Sequence, residues 1–437
     1  MTDTTANHPD RPHAPQVHAM AWQPLPDQQV VTTAGGVTMH IVDSGELPAN
    51  RVSLIWNYGV AQGTVQTGLP GAATMVPQLM MEGTASRTGS QIAEAFDFAG
   101  AMTRSRAVDQ YTVLDVMGLN DSTPRMLRVM ADVYANATID PRVFDSLLVK
   151  AVNQRRLQLT QPMLVAQEAV GTSIAGAAHP YLQPVSPEKM ATLTRDDVWQ
   201  AYRTGTARTG LHIFFGGKLD GAIRDALFGL ADALRPQPVS DPYVCPIVPF
   251  SPESAGRRHI AMPQSLQTAV AAAIPAVPRQ HPDYNSLRLT VMALGGYFGS
   301  RLMTNIREEK GLTYGISASL MGTREGAYIY IAAQCAAGTA DIVIAEIQNE
   351  MRRLADQPMG ADELTRLKRY VASQLMSTLD TPLSVLEYYI THLTVGTPDD
   401  YFAAQFRAIE SLTPDTIQRI AATYLRPDAL HIVTAGA

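Results

Sequence analysis

The stretch that decides the fold reads Gly295-Gly296-Tyr297-Phe298-Gly299-Ser300-Arg301-Leu302 and continues through Asn305-Ile306-Arg307-Glu308-Glu309-Lys310-Gly311-Leu312-Thr313-Tyr314. Apolar spacing predicts a helix over 284–296, followed by a second helix that carries Arg307 close to its end. After a turn at Gly311, alternating residues predict a strand. Arg307 and Tyr314, which are seven residues apart, are therefore expected to project from one edge of a domain.

The glycines of this stretch, Gly295, Gly296 and Gly299, have two interpretations. Because glycine lacks a side chain, they let a substrate backbone approach closely, or they only terminate the preceding helix. Spacing alone does not choose between the two. A phosphate-binding loop is not indicated, since the sequence contains no P-loop string between a strand and a helix.

The stretch resembles the C-terminal-domain signature of the pitrilysin/insulinase family of zinc peptidases. Arg307 and Tyr314 match that signature within an R-E-x-x-G-L-x-Y string. In the family, the matching residues reach from one half of a clamshell to the zinc domain of the other. The resemblance therefore implies that Arg307 and Tyr314 stabilise the negative charge that develops on a carbonyl oxygen. The plain alternative is that Arg307 pairs with Glu308 or Glu309 and that Tyr314 packs over a core.

The zinc motif that accompanies this signature in the family is missing. There, an H-x-x-E-H string on a helix supplies two histidine ligands and a glutamate as general base. Here the frame around it survives as Gly68-Leu69-Pro70 and Glu82-Gly83-Thr84, but Thr74, Pro77 and Gln78 take the motif positions. Hydroxyl and amide groups are poor zinc ligands beside imidazole or carboxylate, and proline accepts no proton. Pro77 is also expected to kink the helix or to restart it.

No other ligand set replaces the motif in the sequence. The resemblance implies a further carboxylate ligand downstream, yet the run 146–167 contains neither Asp nor Glu. No H-E-x-x-H or H-x-x-E-H string occurs anywhere, and the histidines are scattered singly. We therefore expect no metal in this chain and a zinc ion in a partner subunit. A homo-oligomeric peptidase with a divergent metal site stays open as an alternative.

The chain also repeats itself at half its length. Leu211-His212-Ile213 is echoed by Leu430-His431-Ile432 at an offset of 219 residues, and Pro162 is echoed by Pro382 at an offset of 220. Such an offset indicates two similar domains, and the dense prolines between them indicate an extended linker. The predicted order is a disordered arm over 1–22, a first domain over 23–235, a linker over 236–256 and a second domain over 257–437.

Strands and helices alternate within each half. The predicted strands cover 51–58, 111–117, 313–320 and 327–333, the last two as a hairpin. The predicted helices cover 124–137, 141–159, 338–356, 361–379, 382–396 and 413–424. Early strands and late helices predict an α+β fold in which each domain is a largely antiparallel sheet with helices packed on one face. The resemblance adds that the two domains form half of a clamshell.

Composition excludes several classes of partner. The chain has 437 residues and a net charge of −6, so no basic face for nucleic acid is indicated. No segment is long and apolar enough to span a membrane. The first twenty residues lack the apolar centre of a signal peptide, so we expect a cytoplasmic protein, or a periplasmic one if a signal was removed before this numbering. Cys245 and Cys335 are expected to be buried free thiols.

One function follows from the resemblance. It implies a non-catalytic subunit of a heterodimeric, bacterial-type zinc metallopeptidase, similar to the zinc-less chain of mitochondrial processing peptidase. This chain would pair with a homologous H-x-x-E-H subunit, help to enclose peptide substrates and donate Arg307 and Tyr314 to the partner's zinc site. Alone, it is expected to cleave nothing. The alternative from another class is a peptide-binding or scaffold protein without a catalytic role.

Overall fold

The computed structural model describes residues 21–69, 71–180, 182–206, 210–234 and 248–437. The strands are β1 (Gln29–Thr32), β2 (Thr38–Asp43), β3 (Ala49–Trp56), β4 (Met102–Ala107), β5 (Thr112–Leu119), β6 (Leu211–Gly217), β7 (Gly256–Ala261), β8 (Gln267–Ala276), β9 (Thr313–Gly322), β10 (Ala327–Ala336) and β11 (His431–Gly436). The helices of the first half are α1 (Val60–Thr67), α2 (Gly71–Met80), α3 (Gly89–Phe98), α4 (Thr123–Asn136), α5 (Pro141–Gln158), α6 (Pro162–Ala175), α7 (Pro187–Met190), α8 (Arg195–Thr206) and α9 (Gly221–Ala233). Those of the second half are α10 (Tyr284–Val291), α11 (Ala340–Asp356), α12 (Ala361–Met376), α13 (Pro382–Val395), α14 (Tyr401–Glu410) and α15 (Pro414–Tyr424).

The strands form two sheets of matching topology. Their orders are β1-β2-β6-β3-β5-β4 and β7-β11-β8-β10-β9. Neighbouring strands are antiparallel except for the parallel pairs β2–β6 and β7–β11. His212 and His431, which the repeat aligns, lie on β6 and β11, the last strand of each half, and each of these strands lies between a parallel and an antiparallel neighbour. The α+β fold class with two similar domains is confirmed.

Each sheet is covered on both faces. On β3, Leu54 belongs to the large core of the first half, whereas the next residue, Ile55, contacts a separate cluster that contains Leu386 of α13. On β6, Phe215 likewise belongs to the large core, whereas the preceding residue, Phe214, belongs to the separate cluster. Because successive strand residues point to opposite faces, these two clusters lie on opposite sides of the sheet. The prediction of helices on one face therefore describes only part of each domain.

The helix on the second face of each sheet comes from the other half of the chain. Helix α6 packs on β8 and β11 of the second sheet, and α13 packs on β2 and β6 of the first. Both helices begin with a proline at the first position, Pro162 and Pro382, which the repeat aligns. Proline suits that position because its missing N–H would have no helical partner there. The crossed helices join the two halves through buried apolar surface.

The start of the described chain also crosses between the halves. Trp22 packs on Phe402 and Phe406 of α14, at ring-centroid distances of 5.5 and 5.1 Å. The Tyr389 hydroxyl of α13 donates a hydrogen bond to the carbonyl oxygen of Pro26 at 2.7 Å. Residues that precede β1 therefore contact the second half of the chain, although the sequence placed them in an arm and in the first domain.

Most of the predicted elements are present, with small shifts at their ends. The hairpin forms as β9 and β10, and the predicted helices appear as α4, α5, α11, α12, α13 and α15, whereas α14 was not predicted. The predicted linker falls largely outside the described residues, and 248–255 form neither helix nor strand. The domain limits stay predictions. Cys335 is a buried free thiol as expected, while Cys245 lies outside the described residues. No helix in the described part of the chain is long and apolar enough to cross a membrane.

Candidate functional site

The Arg307 side chain is held at the end of a helical segment. This π-helical segment covers Met303–Glu309, and the chain then turns through Gly311, whose φ of +60° lies in the left-handed region that glycine tolerates. Strand β9 follows at once, so Tyr314 comes back beside Arg307. The Nε of Arg307 donates a hydrogen bond to the Tyr314 carbonyl oxygen at 3.0 Å. The turn thus places the two predicted site residues together.

Arg307 keeps much of its hydrogen-bonding capacity free. Its nearest carboxylate, that of Glu308, is 3.8 Å away, which is long for a charge-assisted hydrogen bond. The guanidinium carbon lies 4.8 Å from the ring centroid of Phe298, a cation–π contact that supports the side chain from one side. With Nε engaged, the two terminal nitrogens remain as donors to a ligand.

Tyr314 is unlike an ordinary packed tyrosine. It is 94% exposed, and the structure gives its hydroxyl no partner among the described residues. The alternative in which Tyr314 packs over a core is therefore wrong for this chain. A phenol exposed in this way leaves apolar ring surface in water and has no hydrogen-bond partner for its hydroxyl among the described residues, so its role is expected to involve another molecule.

An open groove surrounds the pair. Its volume is about 640 Å³, and its floor is the edge strand β9 with the end of β10. Two further apolar side chains stand exposed nearby, Leu266 on the groove rim and Phe298 under the Arg307 guanidinium, at 91% and 63% exposure. Sequence reasoning gave neither of them a role. The sequence could have singled out Phe298, because an aromatic residue in a glycine-lined turn has few neighbouring side chains to pack against.

The three glycines do not share one function. The helix that begins at Tyr284 continues as a π-helical segment and ends at Gly296, so the predicted range 284–296 is confirmed. Gly295 is buried, and a Cβ built there would lie 2.7 Å from the backbone nitrogen of Ala318 on β9. Its missing side chain serves close packing of helix on strand. Gly299 is exposed, so the substrate-contact interpretation stays a prediction there.

We expect Gly295→Ala to destabilise the protein by about 1–3 kcal/mol, because the added methyl group meets backbone atoms that cannot rotate away. Gly229→Ala is the matched control, since Gly229 lies within α9 and a Cβ there meets nothing within 4 Å. That control is expected to raise the free energy of unfolding by about 0.4–1 kcal/mol. Both changes in the free energy of unfolding are measured by urea titration. Equal stability of the two variants would contradict the packing role of Gly295.

The positions of the missing zinc motif lie on α2. Thr74 and Gln78 are one helical turn apart, with Gln78 exposed and Thr74 half-buried, and the Thr74 hydroxyl donates to the Gly71 carbonyl oxygen at 2.9 Å. The predicted restart at Pro77 is wrong, because the helix runs unbroken from Gly71 to Met80 with Pro77 buried inside it. The apolar face of α2 is buried in the main core, and this packing offsets the one backbone bond that proline removes.

The residues on α2 do not fit a zinc ion. They supply one hydroxyl and one amide where the family has imidazoles, and the hydroxyl is already bound to backbone. Elsewhere, His40 and His212 lie with ring nitrogens 3.0 Å apart, and burial followed by the charge of His212 lowers the pKa of His40 to about 4. No group of three His, Cys, Asp or Glu side chains that could hold a metal occurs in the described part of the chain.

The structure does not join the two predicted sites. Within the described ranges, no hydrogen bond, ion pair or groove connects Arg307 or Tyr314 with Thr74, Pro77 or Gln78. The arginine and the tyrosine form one local unit, and the α2 positions form another. In the part of the chain that the structure describes, the donors of the first unit therefore have no electrophilic partner.

Two family models match this chain. Residues 61–177 match the family described as insulinase (peptidase family M16), and residues 193–371 match the model described as peptidase M16 inactive domain. The first match contains α2, and the second contains Arg307 and Tyr314. Both models describe one family, and together they span more than half of the chain.

Individual relatives agree with that assignment. An uncharacterized zinc protease of Streptomyces coelicolor is 24% identical over 84% of this chain and 81% of its own length. A structure of a peptidase M16 inactive domain from Pseudomonas fluorescens has a TM-score of 0.83 and 24% identity, covering 94% of this chain and 98% of that chain. The periplasmic protease PqqL from Escherichia coli has a TM-score of 0.76 and 15% identity, covering 97% of this chain and 47% of that chain. At these identities, the likeness to solved structures establishes the fold.

Proposed function

The chain belongs to peptidase family M16 as a non-catalytic member, and from that premise we propose that it is one subunit of a heterodimeric zinc metallopeptidase. Its partner is a homologous chain that carries H-x-x-E-H and holds the zinc ion. The two chains enclose peptide substrates between them. Arg307 and Tyr314 of this chain are the residues that reach the partner's site.

The observation that carries the proposal is the state of Tyr314. An exposed phenol with no partner in the described chain is held beside a guanidinium by a 3.0 Å bond to its own backbone. A scaffold has no use for such a pair. A developing oxyanion does, because preorganised donors stabilise charge that appears only in the transition state.

The zinc ion belongs in the partner because the residues here do not fit it. Thr74 and Gln78 offer no strong ligand, and Pro77 offers no base. In such a pair, the metal polarises the peptide carbonyl when it is bound, and this chain contributes donors and a wall. What Arg307 and Tyr314 do is bind and orient the carbonyl oxygen.

In the proposed heterodimer, the groove around Arg307 and Tyr314 faces the partner. The exposed side chains at the groove, Leu266, Phe298 and Tyr314, are then the ones that a facing subunit or its substrate covers.

Native mass spectrometry of the tagged chain, purified from its own cells, tests the proposal. We expect a one-to-one complex with a homologous chain that contains H-x-x-E-H, and one zinc ion per complex by metal analysis. The chain purified alone is expected to hold no stoichiometric zinc, because its α2 positions supply no imidazole or carboxylate. A metal-bound homodimer would contradict both the heterodimer and the metal assignment.

A further inference from the structure

A second, cationic cavity lies where the two halves of the chain meet, and the proposed peptidase function does not use it. Its volume is about 650 Å³, within the range of small-molecule sites. It is lined by Arg51 of β3 and by residues that precede or belong to the helices of the second half, among them Arg279, Arg288, Tyr388 and Tyr401. Hydroxyl and amide side chains complete the wall.

Arg288 is the unusual residue of this cavity. It lies in α10, and its Nε and one terminal nitrogen are buried with no hydrogen-bond partner. No ion pair to Arg288 occurs among the described residues. Burial lowers its pKa from the ordinary value, with only the nearby phenols of Tyr401 and Tyr284 acting in the opposite direction. An arginine stays charged at neutral pH, so the cavity holds a desolvated positive charge without a counter-ion.

Arg279 adds a second poorly satisfied guanidinium. Its Nε is buried without a partner, and its terminal nitrogens reach the Tyr401 hydroxyl and the Gly322 carbonyl oxygen only at 3.5 and 3.4 Å. Its guanidinium carbon lies 5.6 Å from the Tyr284 ring centroid and 6.0 Å from that of Tyr401. These aromatic contacts position the charge but do not neutralise it.

The carboxylates near the cavity already form ion pairs with other arginines. Glu387 lines it but pairs with Arg51 at 2.6 Å, and Arg51 also pairs with Asp115 at 2.9 Å. Asp283, which precedes α10, pairs with Arg419 at 3.1 Å. Arg51 is therefore balanced, while Arg279 and Arg288 are not. A buried charge is costly unless it is paired, so the imbalance points to an anion that is supplied from outside the chain.

We propose that this cavity is a binding site for a small oxyanion, a ligand bearing a carboxylate or a phosphate group, held by Arg288 and Arg279. Guanidinium groups bind both kinds of oxyanion through pairs of parallel N–H donors. Tyr388 and Tyr401 provide a wall, and Arg51 ties the ligand site to the first half through its ion pair with α13. Occupancy therefore stabilises the junction between the halves.

Isothermal titration calorimetry and thermal unfolding of the full chain test this site, with inorganic phosphate and citrate as separate probes. Potassium chloride at matched ionic strength removes general screening effects. We expect saturable binding of at least one probe and a rise in Tm that follows its occupancy. Binding of phosphate alone or of citrate alone identifies the ligand class. Absence of saturable binding of either probe overturns the proposal.

Arg288→Met is expected to weaken the binding by about tenfold or more, with Arg288→Lys in between, since lysine keeps the charge but not the paired donors. Arg426→Met is the matched control and should bind like the wild type, because Arg426 is exposed and its one ion pair among the described residues is with Asp428. Without ligand, Arg288→Met should keep or raise Tm, as it removes an unpaired buried charge. Unchanged binding in Arg288→Met, or a clear loss of its ligand-free Tm, would show that Arg288 serves the fold and not a ligand.

Discussion

Arg307→Ala is expected to lower kcat for peptide hydrolysis by about 10²–10³-fold in the proposed complex of this chain with a zinc-bearing partner. The reason is that a preorganised donor acts on charge that develops in the transition state, so its loss raises the barrier more than it weakens substrate binding. The 3.0 Å bond from Arg307 to the Tyr314 backbone already fixes the guanidinium, which therefore needs no ordering when substrate arrives. Tyr314→Phe keeps the ring and removes only the hydroxyl, and we expect a smaller loss of kcat from it.

The measurement is a steady-state assay on the purified complex, with kcat and KM determined separately. Arg426→Ala is the matched control, since it removes an exposed arginine whose only described ion pair is with Asp428. Native mass spectrometry of each variant confirms that the complex still assembles. A rise in KM with kcat unchanged would mean that Arg307 and Tyr314 only bind substrate. Full activity in both variants would refute the donation of these residues and favour the scaffold interpretation.

The resemblance to the family signature singled out Arg307 and Tyr314, and their proximity could be predicted because their neighbourhood is local. A helix end, the Gly311 turn and a strand start lie within eight residues, so spacing alone brings the two side chains together. The spacing did not predict whether these side chains are buried or exposed. Whether Tyr314 packs or protrudes depends on which strand occupies the edge of the sheet, and β9 is an edge strand because the last strand, β11, pairs with β7 and β8 and not with β9. That pairing is a long-range contact which no local pattern encodes.

The errors have the same origin. Pro77 was expected to kink or to restart its helix, since proline removes a backbone donor, but the helix does not restart there, because Ala73, Val76 and Met80 pack in the main core. The repeat aligned Pro162 with Pro382, although a helix was predicted only at Pro382. It could not show that each helix packs on the sheet of the other half. Arg288 was overlooked because an arginine inside an amphipathic helix gives no sign that its partners are missing.

The crossed helices predict that the two halves unfold together. Val170 of α6 is fully buried against alanines of β8 and β11, in a cluster that includes Ala271, Val433 and Ala435. Val170→Asp places a carboxylate among these side chains with no described partner, and we expect it to cost about 4 kcal/mol or more. Val149→Asp makes the same change on α5, where Val149 is 60% exposed, and should be nearly neutral.

Differential scanning calorimetry distinguishes a joined from a separable architecture. If α6 and α13 bind the halves into one cooperative unit, the wild type shows a single unfolding transition, and Val170→Asp lowers the midpoint temperature of that whole transition. If the halves are independent, the change splits the transition and leaves the part that contains the first sheet at its original temperature. A single transition is also what the proposed assembly requires, because Arg307 and Tyr314 can be aimed at a partner's site only when the second half is held rigidly on the first. In the proposed assembly, the rigid junction is therefore what positions Arg307 and Tyr314, the donors that this chain contributes.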